Sequence, residues 1–493
     1  MDATPGLTHV PIGVLSPERF SGVLDPLQEE RFRAAVERVG EAFEGRIVWN
    51  VNSTAQGGGV AEMLRSLLAY ARGAGVDARW VVIPGTPDFF AITKRIHNHL
   101  HGFPGDGGPL GAAEREVYRG VIEPSALELT ELLRPGDVVI VHDPQPAGLC
   151  RTAKEAGAVA IWRCHVGLDR PNDLARGAWD FLRPHVLPAD AYIFSRRAYA
   201  WEGLDGGRVT VVPPSIDAFS PKNQQLSDEQ VSSILSAAGL APDAATTPPT
   251  FAREDGSTGT VVRLATLHGH SDPLPDDVPL VAQVSRWDRL KDPLGVLLGF
   301  ATHVAPRSNA HLAVVGPSVE GVADDPEGAD VLREAEVALD GLTAEVRARI
   351  HLVSLPMEDG EENAAIVNAI QRRADIVVQK SLAEGFGLTV TEAMWKGRPV
   401  IGTRIGGIQD QIVPGRTGLL LEDPLDLPAY GEAILTLLAD PARGREMGRE
   451  GQRRIRDQFL GPRHLTQYLE LISALLGSQD GATRASPAEP ETD

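Results

Sequence analysis

Along almost the whole 493-residue chain, short apolar runs of strand length alternate with amphipathic stretches of helix length. This alternation restricts the fold more than any other feature, because neighbouring parallel strands need a long crossover and a helix is the usual one. In the first half, strands are predicted at Arg46–Asn52, Ala78–Ile83, Asp137–His142, Ala158–Cys164, Ala191–Ser195 and Arg208–Val212. Helical patterns lie between them, as at Val60–Arg72 and Asp88–His101, and Gln28–Phe43 reads as an extra N-terminal helix. Residues 241–277 break the rhythm with Pro-, Gly- and Asp-rich runs and read as a mobile surface insertion. Alternation resumes at Pro279–Ser285, His311–Val315, His351–Ser354, Asp375–Gln379 and Arg398–Gly402, and the polar stretch 477–493 reads as a disordered tail.

The expected class is therefore α/β with two doubly wound domains, 1–215 and 216–476, joined near Pro213–Asp217. Ligands of such sheets sit beyond the carboxyl ends of the strands, where helices begin. A net charge of −20 argues against nucleic acid, whose phosphates demand a basic footprint. It leaves room for an anionic co-substrate, since one or two local cations and helix N–H groups suffice. Two cysteines, Cys150 and Cys164, cannot build a disulfide framework and read as small apolar residues. The start of the chain lacks a basic, then apolar leader, and no run reaches about 18 apolar residues, so a cytoplasmic location is expected.

Three constellations fall at predicted strand ends. The first runs from Asn50 through Asn52, Ser53 and Thr54 to Gly57, Gly58 and Gly59, which open a helix. Glycines let backbone approach a ligand closely, and the helix start offers free N–H groups; a turn packed for its own sake would look the same. The pattern is not that of a nicotinamide-dinucleotide site. In the second, Arg286 and Lys291 flank a turn that enters a helix near Pro293, an arrangement suited to a diphosphate or to a merely solvated turn. The third is Glu384-Gly385-Phe386-Gly387-Leu388-Thr389, followed by Glu392. Here a Gly-rich turn starts a helix between two acids, and a helical rise of ~1.5 Å per residue spaces them by ~12 Å. One acid could then hold a hexose and the other a ribose, with the N–H groups of residues 385–389 favouring negative charge between them. No Asp-x-Asp stands at a strand end, and Asp324-Asp325 reads as solvated loop.

The Glu-x7-Glu segment with Met394 to Gly402 resembles the retaining GT-B glycosyltransferases related to sucrose and glycogen synthases. The match is closer to the trehalose glycosyltransferring synthases. It rests on Asn52-Ser53-Thr54 with Gly57 to Glu62, Phe89-Phe90 through Thr93-Lys94 to His97-Asn98, His142 to Pro146, Trp162-Arg163-Cys164-His165, and Pro214 to Asp217. It covers roughly residues 45–220 and 279–460. The resemblance implies two Rossmann-like domains facing each other across a cleft that closes on substrate. It implies that Arg286 and Lys291 hold the donor diphosphate, Glu392 the ribose and Glu384 the donor hexose. His165 would lie near the transferred sugar, and the Gly57–Gly59 loop would close over both substrates.

On this reading the co-substrate is a nucleoside diphosphate glucose, no cofactor is tightly bound, and two cations replace a metal. Acceptor contacts are expected from Lys94, His97 and Asn98, which share a helix face although a solvated polar face would look alike, and from Asp143 and Gln145. The expected reaction is retaining transfer of glucose to glucose, giving trehalose. The alternatives are a trehalose phosphorylase, a transferase for another small acceptor, or a non-catalytic sugar-nucleotide binder. Expected partners are small sugars and, at most, a second copy of the chain, with neither nucleic acid nor membrane.

Overall fold

The structure, a computed structural model, describes residues 6–55, 58–242, 247–269, 272–319 and 326–484. It divides into two compact units, Met1–Pro214 with Gly461–Asp493, and Ser215–Leu460.

The first unit is built on seven strands: β1 (Thr8–Val10), β2 (Ile47–Asn52), β3 (Asp77–Val82), β4 (Val138–His142), β5 (Val159–Cys164), β6 (Ala191–Phe194) and β7 (Val209–Val211). They lie in the order β1-β3-β2-β4-β5-β6-β7. Only β1 is antiparallel to its neighbour. The central strands are buried on both faces, as parallel strands under helices must be. The period of two sorts their side chains. Trp49, Val51, Val139, Val141, Ala160 and Trp162 enter one core. Val48, Val138, Ile140, Val159 and Ile161 enter another, which the C-terminal helix Gly461–Arg484 completes with Leu469, Ile472 and Leu476.

That helix corrects the expected division of the chain. Residues 461–476, read as the end of the second domain, belong to the first unit. The helix continues to Arg484 where a disordered tail was expected from 477, and residues 485–493 lie outside the described residues. The reason is an apolar stripe on the helix that matches an apolar sheet face some 300 residues earlier, a pairing invisible to a local window. The expected helix Gln28–Phe43 is instead two helices, Pro26–Glu37 and Val39–Phe43. A capping box of Asp25 and Gln28 fixes the start of the first.

The second unit carries β8 (Thr250–Ala252), β9 (Thr258–Thr260), β10 (Thr266–His268), β11 (Leu280–Val284), β12 (His311–Pro317), β13 (Ile350–Leu355), β14 (Ile376–Gln379), β15 (Val400–Thr403) and β16 (Leu419–Leu421). Seven of them form a sheet in the order β10-β13-β12-β11-β14-β15-β16, parallel except for β10, and β8 pairs with β9 as a hairpin. The segment read as a mobile insertion is therefore built in. Strand β10 extends the sheet beside β13, and Arg253 in the hairpin reaches Asp359 and Glu361 at 2.6 Å each. The Glu362 carboxylate accepts the backbone N–H groups of Val262 and Arg263 at 2.7 Å. These partners lie about 100 positions away, which is why no local periodicity announced them. Residues 243–246 and 270–271 of this segment, like Asp324-Asp325, lie outside the described residues.

In each sheet the chain reverses its winding at one strand. Strand β2 lies between β3 and β4, and β11 lies between β12 and β14. The crevices beyond the carboxyl ends of β2/β4 and β11/β14 are thus the two places where such folds bind ligands.

Candidate active site

In the second unit, the turns after β11 and β14 meet at that crevice. The Leu382 N–H donates to the Leu290 carbonyl at 2.7 Å, locking one turn to the other. This brings Lys291 and Glu384, 93 positions apart, into an ion pair with Nζ 2.6 Å from Oε2. A second pair lies directly beneath: Lys380, fully buried at the end of β14, meets Asp292 and also donates to the Pro424 carbonyl at 2.6 Å. Asp292 takes a left-handed φ of 52° and caps the following helix through Gly295 N at 3.0 Å. Arg286 is more exposed and lies 3.2 Å from Asp288.

The Gly-rich turn is held from behind. Gln411 donates to the carbonyls of Phe386 and Gly387 at 2.6 and 3.2 Å and accepts from the Thr391 hydroxyl at 2.6 Å. Gly387 has φ 83°, a conformation that a side chain disfavours, and it starts the helix Leu388–Trp395. The N–H groups of Leu388 and Thr389 have no hydrogen-bond partner among the described residues, which leaves a positive helix start in the crevice. The Phe386 ring is buried against Phe459, so this residue can offer a ligand only its backbone.

The spacing of the two acids is corrected. The helix begins at Leu388, so Glu392 stands about one turn in, ~6 Å of rise, rather than two turns beyond Glu384. Glu392 is almost buried, with Lys222 3.9 Å away. Lys396, one turn further, is buried and held by Asn223 (3.1 Å) and Gln371 (2.8 Å). Burial pushes its ammonium well below the ordinary lysine range, against the pull of Glu392.

In the first unit, the crevice holds a row of polar groups on strand ends. His142 closes β4, and its Nδ1 lies 3.2 Å from His165 Nε2, while its Nε2 lies 3.1 Å from Asn50 Oδ1 on β2. Asp143 has a left-handed φ of 65° and accepts the His165 N–H at 2.7 Å, fixing the turn beyond β5. Burial raises the Asp143 carboxyl to about 7, opposed by that hydrogen bond and by Arg163. The N-terminal glycine loop is only partly in view: Gly58 and Gly59 begin the helix Gly58–Gly73, and Gly57 lies outside the described residues.

Lys94, His97 and Asn98 stand on the helix Pro87–Leu100. The far end of that helix is tied to the loop after β5 by Asn172 Nδ2 to the Gly102 carbonyl, 2.9 Å. Lys94 is exposed, whereas His97 packs its ring against His101 with centroids 4.9 Å apart. Gln145 is partly exposed just past Asp143. The residues that sequence reasoning left without a role are the supporting ones: Asn50, His142, Lys222, Asp292, Lys380 and Gln411. A polar residue inside an otherwise apolar, fully buried strand run is the signal that could have found Asn50 and His142.

The geometry agrees with the comparisons. Residues 50–201 match the family "Trehalose synthase, N-terminal domain" and residues 270–454 match "Glycosyl transferases group 1". A trehalose synthase of Pyrococcus horikoshii is 35% identical over 442 residues, covering 90% of this chain and 93% of that protein. One of Rubrobacter xylanophilus is 36% identical over 437 residues, covering 88% and 92%. A trehalose phosphorylase of Pleurotus pulmonarius is 25% identical, covering 88% of this chain but 59% of its own length. Among solved structures, an alpha,alpha-trehalose-phosphate synthase (UDP-forming) from Burkholderia vietnamiensis superposes with a TM-score of 0.64. It is 15% identical and covers 88% of this chain and 98% of its own, a likeness of fold. Among the described residues no helix is long and apolar enough to cross a membrane. With two doubly wound sheets and near full-length relatives, the chain is a glycosyltransferase of GT-B fold and belongs to the trehalose synthase family.

Proposed function

We propose that the chain transfers glucose from a nucleoside diphosphate glucose to free glucose, with retention, and so makes trehalose. The observation that carries this reading is the Lys291–Glu384 pair beside an open helix start at the β11/β14 switch point, with Glu392 one turn in. An incoming diphosphate has the charge to take Lys291 from Glu384, and the Glu384 carboxylate then accepts from sugar hydroxyls. Arg286, on the turn after β11, adds a second cation for the diphosphate. Glu392 accepts ribose hydroxyls, with Lys222 close by. The near full-length trehalose synthases support the product, and the UDP-forming neighbour supports a nucleotide donor.

Bond breaking builds charge on the leaving phosphate as the sugar becomes oxocarbenium-like. Fixed cations and helix N–H groups stabilise that charge more than the ground state. No carboxylate nucleophile is needed if the acceptor attacks from the face the diphosphate leaves and the leaving phosphate takes its proton. His165, with Asp143 behind it, lies near the transferred sugar, and Gln145, Lys94, His97 and Asn98 bind acceptor hydroxyls.

The testing experiment pairs glucose with uridine, adenosine and guanosine diphosphate glucose in turn, with trehalose plus inorganic phosphate alongside. An α,α-linked disaccharide and free nucleoside diphosphate support the synthase. Glucose 1-phosphate from trehalose and phosphate alone would replace it with the phosphorylase, the reading favoured by the more distant relatives.

Two further outcomes are expected. Glu384→Gln lowers kcat with little change in nucleotide affinity, read by rapid kinetics and calorimetry; loss of nucleotide binding would remove the hexose role. Treatment with a chelator leaves turnover largely intact because Arg286 and Lys291 carry the charge. Loss restored by a divalent ion would contradict it.

A further inference from the structure

The polar row in the first unit contains more than a sugar contact needs. Asn50 Oδ1 can only accept, so the His142 nitrogen beside it, Nε2, carries a hydrogen. In a neutral ring His142 Nδ1 is then an acceptor, and His165 Nε2, 3.2 Å away, must donate to it. That leaves His165 Nδ1 as a bare lone pair. This nitrogen has no hydrogen-bond partner among the described residues, and His165 retains 8% of its surface.

Behind the pair lies Arg163, the residue of β5 that points to the same sheet face as Asn50 and His142. It is fully buried, and none of its three guanidinium nitrogens has a hydrogen-bond partner among the described residues. A buried guanidinium without hydrogen bonds is costly, so its retention calls for a reason.

We propose that Asn50, His142 and Arg163 are positioning residues that hold His165 as the uncharged Nε2–H tautomer, so that its Nδ1 accepts a hydrogen bond from a substrate hydroxyl. This rests on the reading of His165 as a sugar contact, but the tautomer itself does not. The groups facing the pair are Asn50 from β2, Asp143 after β4, Arg163 from β5, Ser195 after β6, and Arg463, His464 and Tyr468 from the C-terminal helix. Burial, and then Arg163, push His142 down to about 3. Burial, Arg163, His142 and His464 push His165 well below the ordinary histidine range. The Asp143 carboxylate accepts the backbone N–H of His165. Burial pushes the Arg163 guanidinium down, and Tyr468 and Asp143 oppose it.

The decisive measurement is histidine-selective nitrogen NMR on the full chain without substrate, from about pH 5 to 8. His165 is expected as the Nε2–H form throughout. An Nδ1–H form would overturn the proposal whatever the enzyme's substrates prove to be. Kinetics form the second arm. Arg163→Met removes the charge that stands second to burial in holding the pair neutral, so the acidic limb of kcat/KM should move to higher pH than in the parent. Arg163→Lys should return it toward the parent position. A soluble Arg163→Met protein whose profile matches the parent's would overturn Arg163's part. If no donor and acceptor pair gives turnover, the sugar reading fails while the NMR result still decides the tautomer.

Discussion

Lys291→Ala is expected to lower kcat/KM by about two to three orders of magnitude, and Arg286→Ala by about two, as for loss of a group that meets developing charge. The two differ for a structural reason. Lys291 is partly buried and lies 2.6 Å from Glu384, so its removal takes away a cation and leaves a carboxylate facing the incoming phosphates. Arg286 has a more exposed side chain and a nearby acid, Asp288, so solvent softens its loss. The double variant Lys291→Ala with Glu384→Gln should lose less than the sum of its parts, because one partner's repulsion disappears with the other. Rates within threefold of the parent in both single variants would sink the diphosphate assignment.

The second large effect is on stability. Asp292→Asn should destabilise the 215–460 unit by about 3–5 kcal/mol, the cost of leaving a buried charge without its counterion. Lys380 is fully buried, and Asp292 is its paired carboxylate. Asparagine keeps the helix cap and tolerates the left-handed φ of 52°, so the change isolates the charge. Adding Lys380→Met should recover most of the loss, since removing both charges is far cheaper than removing one. Denaturant unfolding of the three variants reads this directly. A single variant as stable as the parent would show that the Asp292–Lys380 pair does not stabilise this unit. Because Asp292 follows Lys291, any loss of turnover in the double variant measures how far this buried pair sets the position of the catalytic lysine.

Much of this protein was legible in one dimension because its sheets are parallel and buried on both faces. Such strands must be continuous apolar runs, and the runs at β2, β4, β5, β11, β12 and β14 coincide with the observed strands to within about two residues. Motifs could be placed on the same ground: chemistry in doubly wound sheets gathers at strand ends, and Arg286, Lys291, Glu384 and His165 all stand just past one. Three of the four edges of the two seven-stranded sheets were harder: β1, β10 and β16 have three residues each and gain their stability from a neighbour rather than from their own composition, whereas the equally short edge strand β7 shows in its Val-Thr-Val run.

Periodicity was enough for the alternating α/β order and the position of each motif relative to its strand, and the family resemblance supplied the chemistry to expect. Which strands are neighbours, and with that which distant charges become partners, emerges only in three dimensions. Lys291 with Glu384, Lys380 with Asp292, His142 with His165, and the C-terminal helix against the first sheet are all pairings of remote segments. The difference is one of range. Propensity and periodicity act over a few residues, whereas ion pairs and buried hydrogen bonds depend on atoms a few ångströms apart in space, whatever their separation in the chain.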